Sequence, residues 1–600
     1  RYTGTYGTNG FYLPFTDNSA LTTSSNVGLG KDFSGNGNYW TTNNISITAG
    51  VTYDSMTDVP TLTSATAANF CVMNPLDYLN GAPINGNLAL SNSASTNYYS
   101  ARATFGLSSG KWYWEQTIVT LSTQNASNAQ IAGGVCLSTY TLSSGQGSAG
   151  SWGFQNSNGS ATNSWKFDNG TGTNTFTIFG ASDIAGFALD MGAGTLAVYR
   201  NNTLQFTCST SLAGNTVFPV GWAYAASGQS ASCAFNFGQQ PFTYTPPTGF
   251  VALNTFNLPT STIVKGNTVM DATLYTGTLL SNAVTNAASF KPDLVWVKSR
   301  SAATENRLTD SVRGVTKALV SSATAAESTD TQGLTAFGSA GFTVGTNTDY
   351  NNLSATYVGW QWQAGQGSSS SNTNGSITST VSVNASAGFS IVSYTGTGSG
   401  ATVGHGLGVA PQFIITKNRS ATSAWHCYVA AISGMQNGYI VLNSNAAFFT
   451  PNTTVWNGTQ PTSTVFSIGT DSGVNGSGNA EIAYCWTPIA GFSAFGSYTG
   501  NGSADGPFTY VGFRPKFMLI KRTDTAGYSW FVIDTSLNPY NNSANYQIAD
   551  DSSVQHTDNG LDILSNGFKL RNTGASENAN GGTYVYMAWA ENPFKNSLAR

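Results

Sequence analysis

Tyr275-Thr276-Gly277, Tyr394-Thr395-Gly396 and Tyr498-Thr499-Gly500 each precede a proline by seventeen residues (Pro292, Pro411, Pro515), and each proline precedes a lysine by six (Lys298, Lys417, Lys521). The C-terminal half of the chain is a tandem triplication. Between proline and lysine lie Leu294-Val295-Trp296-Val297, Phe413-Ile414-Ile415-Thr416 and Phe517-Met518-Leu519-Ile520, residues that suit a pleated surface and predict a buried strand. A second apolar beat follows at Gly341–Val344, Val465–Ile468 and Gly567–Leu570. Each copy closes on a tryptophan-ended strand, at Trp362, Trp486 and Trp589. Core positions match while the loops between them differ, and variable loops on a fixed scaffold are where recognition sits.

The 600 residues exceed what one hydrophobic core holds, so four or five domains of roughly 100 to 150 residues are expected. Only 8% of residues are charged and 12% are aromatic. Average soluble domains carry about 25% charge, and disordered chains lack aromatics, so this composition predicts folded modules kept in solution by hydroxyls and amides. Net charge is −4 with scattered basic residues, which gives nucleic acid and anionic lipid no purchase. No apolar run reaches the roughly 18 residues of a spanning helix, and no membrane insertion is expected. The amino end has no basic region leading into an apolar one. A chain that starts at Arg1 reads as a processed product or the C-terminal part of a longer polypeptide.

Six cysteines, Cys71, Cys136, Cys208, Cys233, Cys427 and Cys485, are too spread for a disulfide framework and read as small buried hydrophobes, with a Cys208–Cys233 bridge left open. His405, His426 and His556 have no neighbour at metal-ligand spacing, which argues against zinc. Apolar alternation over four to eight residues, broken by Gly, Asn, Ser and Asp, predicts an all-β, multi-domain chain. The best helical candidate is short, Ser311–Ala318.

Six segments are expected: an introductory β segment (1–96), a first β-sandwich (97–250), repeat one (251–365), a flexible Ser/Gly/Asn linker (366–386), repeat two (387–489) and repeat three (490–600). Each repeat is large enough for its own core, so the repeats read as beads on a string. In the introductory segment Asp32, Ser34 and Asn36 place oxygens at alternate positions and are the candidate calcium ligands, calcium being the one cofactor considered. The competing reading is a turn in which these side chains bond their own backbone.

Gly110-Lys111-Trp112-Tyr113-Trp114-Glu115 comes first, then Phe187-Ala188-Leu189-Asp190 with a glycine turn into Leu196-Ala197-Val198-Tyr199-Arg200-Asn201-Asn202, then Phe218-Pro219-Val220 and Asn236-Phe237-Gly238. This order resembles a SPRY domain of the concanavalin A-like sandwich superfamily. The resemblance implies two packed antiparallel sheets that bind partners, usually proteins, through edge loops, without catalysis. Asn201-Asn202 stands where the family commonly has Asn-Gly, and Asn tolerates the positive φ the turn needs. The whole arrangement resembles exterior proteins of tailed bacteriophages: the Gly10–Phe15 and Asp32–Asn36 opening, the SPRY-like unit, and Tyr-Thr-Gly repeats ending in Ala590-Glu591-Asn592-Pro593-Phe594. That resemblance implies a tail fibre or related appendage on the virion exterior, often a homo-oligomer and commonly a trimer.

Catalytic signatures are missing: no Gly-x-Ser-x-Gly stands between a strand and a helix, and no phosphate-binding Gly-rich loop with Lys-Ser/Thr appears. Polysaccharide cleavage needs two carboxylates across the scissile bond, for which the candidates are Glu115, Asp168, Asp183, Asp190, Asp534, Asp550, Asp551 and Asp562. No enzyme activity is expected. Trp152, Trp165, Lys166 and Asp168 are the candidate binding residues, aromatic faces beside polar groups in Gly- and Asn-rich segments; the competing reading has both tryptophans capping the core. Lys298-Ser299-Arg300, Lys417-Asn418-Arg419 and Lys521-Arg522 end equivalent strands, either as a basic edge for anionic polysaccharide or as solvated termini that block edge pairing. The expected function is attachment to a host-surface glycan or protein alongside other virion proteins. The alternatives are capsid or tail decoration, a bacterial surface adhesin, and a depolymerase.

Overall fold

The computed structural model describes residues 4–596 other than 18, 20–24, 44, 46, 48–57, 59–63, 94–95, 123–127, 145–146 and 157–162. Strands dominate, as the alternating pattern predicts, and the chain divides into two units, residues 1–259 and 260–600.

In the first unit two seven-stranded sheets make a sandwich. One runs in the order Met73–Leu79, Tyr99–Ala103, Val217–Ala225, Ala129–Leu137, Ser151–Gln155, Asn163–Asp168, Thr171–Thr177. The other runs Thr203–Cys208, Thr195–Arg200, Ile184–Asp190, Lys111–Leu121, Ser230–Asn236, Ala89–Ser93, with Val251–Ala252 added parallel to Lys111–Leu121. Inward residues from both faces interlock: Trp114 stacks on Phe187 at 5.0 Å, and Phe187 lies 6.0 Å from Phe154. The expected meander is present, and Asn201 and Asn202 both adopt positive φ (46° and 67°) in its second turn. The expected boundary at 96/97 is corrected, because Met73–Leu79 and Ala89–Ser93 pair with Tyr99–Ala103 and Ser230–Asn236 and so belong to the sandwich. All six cysteines are free and buried.

In the second unit each repeat hydrogen-bonds its Tyr-Thr-Gly strand to its tryptophan strand, and that to its lysine strand. The three sets are Met270–Thr276, Thr356–Trp362 and Leu294–Ser299; Phe389–Thr395, Ala480–Trp486 and Phe413–Asn418; Ser493–Thr499, Thr583–Pro593 and Phe513–Arg522. The period of two explains why the lysine strand is apolar throughout. Val295 and Val297 face their own repeat's smaller sheet with Phe342 and Val344, while Leu294 and Trp296 join a core shared by all three repeats.

Trp362, Trp486 and Trp589 meet at the centre of that core. Their rings lie edge to face, with centroids 6.2, 5.7 and 5.7 Å apart around the triangle. Each such pair adds about 0.5–1.5 kcal/mol beyond its buried area. The junctions repeat cyclically. Glu327 N–H donates to Arg419 O, Phe448 N–H to Thr523 O and Gln555 N–H to Arg300 O, at 2.9, 2.9 and 3.0 Å, linking repeat one to two, two to three and three back to one. The unit is a closed pseudo-threefold ring.

Beads on a string is therefore corrected: the tryptophans that close the three repeats pack on one another, so each repeat's core is completed by its neighbours. The linker is corrected too. Ser370–Asn372 and Ser379–Asn384 are paired strands that extend the second repeat's sheet beyond Phe389–Thr395, and Ile377 and Val381 join the shared core, so this stretch is ordered by backbone pairing and by burial of its few apolar residues. Ser311–Ala318 is not helical; it holds a turn and enters the strand Lys317–Val320.

The Tyr-Thr-Gly signature has a geometric cause. The tyrosine hydroxyls donate to Tyr350 O, Val474 O and Glu577 O at 2.7, 2.7 and 2.8 Å. A Cβ on Gly277, Gly396 or Gly500 would fall 2.0–2.3 Å from a carbonyl oxygen of the same segments. Buried Asn351, Asn475 and Asn578 accept from the N–H of Thr278, Thr397 and Asn501, fixing the residue after each glycine.

Candidate binding sites

In the opening loop the Asp32 carboxylate accepts from Tyr12 N–H, Ser34 N–H, Ser34 Oγ–H and Asn38 N–H at 2.7–2.9 Å. Burial would raise this carboxyl, and the four donors instead hold it down to about 2. Asn36 Nδ2 donates to Gly7 O and Gly10 O, both at 2.8 Å. The residues expected to wrap calcium thus knot residues 7–12 to residues 32–38 by hydrogen bonds. Among the described residues no group of three His, Cys, Asp or Glu is placed to hold a metal ion.

The structure brings Trp152, Trp165, Lys166 and Asp168 onto two adjacent strands but does not leave all four open to a ligand. Trp152 is buried, with its indole N–H donating to Thr210 O at 2.8 Å. Asp168 is buried, accepting from Ser209 and Thr210 N–H and pairing with Lys166 at 3.1 Å. These two hold the segment 209–210, which corrects the expectation that they face a partner. Trp165 is half-buried against Gly172 and Gly147, where a Cβ would come within 2.0 and 2.1 Å of its ring. Lys166 also donates to Thr207 O at 2.7 Å.

The lysines of the expected basic edge are corrected more sharply. Lys298, Lys417 and Lys521 are fully buried, and each ammonium donates to backbone carbonyls: Thr304 and Ser552 for Lys298, Thr324, Asn418 and Ser423 for Lys417, Tyr528 for Lys521. Ser552 and Thr324 belong to the neighbouring repeat. Burial lowers all three to about 8. No surface polysaccharide reaches them.

The carboxylates weighed for hydrolysis are occupied as well. Glu115 accepts from Thr243 and Tyr244 N–H at 2.9 Å, Asp183 from Arg200 and Asn201, Asp190 from Gly192 and Ala193 N–H. Asp534 accepts from the Trp360 indole at 2.9 Å, Asp550 from Trp530 N–H, Asp551 from Ser553 and Asp562 from Arg571. Each anchors a turn, a strand end or a repeat junction.

Two cavities among the described residues bear on binding. One, about 330 Å³, lies over the first unit's sheet between Ser91, Val119, Ser232 and Gln240. The other, about 390 Å³, is polar and sits in the third repeat beside Tyr546, Asp558, Arg571 and Glu577. Sequence reasoning passed over this second group entirely.

Comparison with known proteins places both units. Residues 265–593 match the family described as "Domain of unknown function (DUF7483)". The chain belongs to this family. Residues 111–240 match the SPRY domain. Among solved structures, the SPRY domain of human HERC1 is 18% identical, covering 28% of this chain and 99% of that one at a TM-score of 0.24. The TRIM65 PSpry domain is 12% identical, covering 28% and 92% at a TM-score of 0.22. No curated protein matches. The DUF7483 match spans all three repeats as one piece, in keeping with their shared core. Within it the signal that would have found Glu577 is positional: aligned on Asn351, Asn475 and Asn578, the preceding residue is Tyr350, Val474 or Glu577. A carboxylic acid stands where the sister repeats bury a ring or a methyl pair.

Proposed function

We propose that this protein is an exterior component of a tailed-bacteriophage particle, a tail fibre or related appendage, that attaches the particle to a glycan or protein of the host surface. The observation that carries the reading is the closed three-repeat ring: matched core positions and backbone junctions hold a scaffold rigid, while loops at equivalent positions differ in length and sequence. Such a body suits contact. SPRY domains are typically non-catalytic protein-interaction modules, and the acids named for hydrolysis are spent on holding the fold, so binding rather than bond-breaking is the work proposed. The resemblance of the opening, SPRY and Tyr-Thr-Gly order to virion proteins supports the setting, and with it assembly among other virion proteins as a homo-oligomer, a trimer for preference. Many shallow contacts displayed in copies add up to firm adhesion.

The test is direct. Antibody against residues 260–600 should label the outside of intact virions and block adsorption, and purified chain should compete with adsorption in proportion to dose. Label confined to lysate and excluded from purified particles contradicts the reading. Exterior label without any effect on adsorption would favour decoration instead.

A further inference from the structure

At the buried position of Tyr350 and Val474 the third repeat carries an acid, Glu577. Tyr350 and Val474 are 1% and 0% exposed; Glu577, at 7%, lines a cavity of about 390 Å³. One Glu577 carboxyl oxygen accepts from Asn572 Nδ2 at 2.6 Å, and the other has no hydrogen-bond partner among the described residues. Burial, with Asp558 nearby, pushes this carboxyl up to about 7. What sets this buried acid apart is the cavity beside it, and a perturbed carboxyl lining a cavity is a candidate site.

The rest of the lining narrows the ligand. Tyr546 is clasped between His556, stacked at 5.2 Å and 12°, and Phe531 at 4.8 Å, so its ring is held in one orientation. Arg571 is already engaged by Asp562 and Asp505. With Asp558 added, the surroundings are acidic on balance, which repels carboxylated or phosphorylated ligands. A protonated carboxyl both donates and accepts, as a sugar hydroxyl pair requires, and Thr573 and Ser576 add hydroxyls at the rim. The volume lies near the lower end of ligand pockets and accommodates roughly one or two pyranose rings.

We propose that this cavity binds the end of a neutral saccharide, with Glu577, oriented by Asn572, meeting its hydroxyls and Tyr546 lining the wall beside it. The inference rests on the attachment reading only for where the sugar comes from.

The test uses the full chain and a panel of methyl glycosides and disaccharides of glucose, galactose, mannose and N-acetylglucosamine, with galacturonate as the anionic control. Saturation-transfer NMR and calorimetry read binding. At least one neutral sugar should bind, weakened at least tenfold by Glu577→Val, which installs the second repeat's residue, and by Thr573→Trp, which fills the cavity from its exposed rim. Both variants should melt no lower than the parent. Binding unchanged in both variants, galacturonate bound as tightly as the best neutral sugar, or no neutral binding at ~10 mM overturns the proposal. Binding lost as stated in variants whose virions still adsorb normally keeps the cavity and sinks attachment through it.

Discussion

The indole N–H of Trp530 donates to the carbonyl of Val441 at 2.8 Å, from the third repeat to the second. Trp425 makes the same bond to Val320, from the second to the first, also at 2.8 Å. At the matching position of the first repeat Asn306 Nδ2 reaches Ile548 O at 3.2 Å, closing the circle onto the third. A second relay runs in the same sense. Trp360 donates to Asp534 and Tyr484 to Asp310, while the third set, Met587 and Val429, is buried and apolar. The ring is thus one solution written three times, with polar or apolar partners exchanged together.

Trp530→Phe leaves Val441 O buried without its donor and removes ring volume at a junction. We expect a loss of ~2–4 kcal/mol in urea unfolding, with the whole 260–600 unit shifting together rather than the third repeat alone.

Lys417→Met strands the carbonyls of Thr324, Asn418 and Ser423, costing about 1–3 kcal/mol at pH 7. The folded lysine titrates near 8, below the ~10.4 of an unfolded lysine. Between those values the folded chain binds fewer protons than the unfolded one, so native stability rises with pH there. The gap between parent and variant should widen from pH 8 to 10, measured by urea midpoints; a constant gap would refute the buried-ammonium account.

Glu481 occupies the place of Tyr357 and Tyr584. It accepts from Gly476 N–H at 3.1 Å as their hydroxyls accept from Asn352 and Ala579 N–H, while its second oxygen is buried without a partner. Burial raises its carboxyl to about 8. Its contribution is complete below the unfolded value of ~4.3 and is lost as pH climbs through 8. Relative to Glu481→Gln, the parent should lose on the order of 1–3 kcal/mol between pH 5 and 8.5.

In the SPRY domain Glu115 pins residues 243–244 onto the sandwich. Glu115→Ala should cost about 1–3 kcal/mol and speed hydrogen exchange of the Thr243 and Tyr244 amides at least tenfold, leaving the Ile184–Arg200 hairpin unchanged.

The sequence displayed the repeats, their strands and the SPRY order because apolar alternation and fixed spacing are local properties. It concealed whatever depends on a neighbour. Lys417 looks solvated at the end of its strand, yet carbonyls of its own loop and Thr324 O of the first repeat enclose the ammonium. Gly365–Ser376 has little to bury and reads as a tether, yet backbone pairing orders Ser370–Asn372. Trp152 and Trp165 were legible as alternatives, and burial decided only Trp152. Glu577 lay in plain view, but its meaning emerges only when its counterparts are seen as Tyr350 and Val474, both in the core.

The central claim is that three repeats complete one core around Trp362, Trp486 and Trp589. Differential scanning calorimetry of residues 260–600 tests it most directly. The account predicts a single transition whose calorimetric and van't Hoff enthalpies agree, and a Trp486→Ala variant that lowers it as a whole. Three separable transitions, with the substitution moving only one, would contradict it.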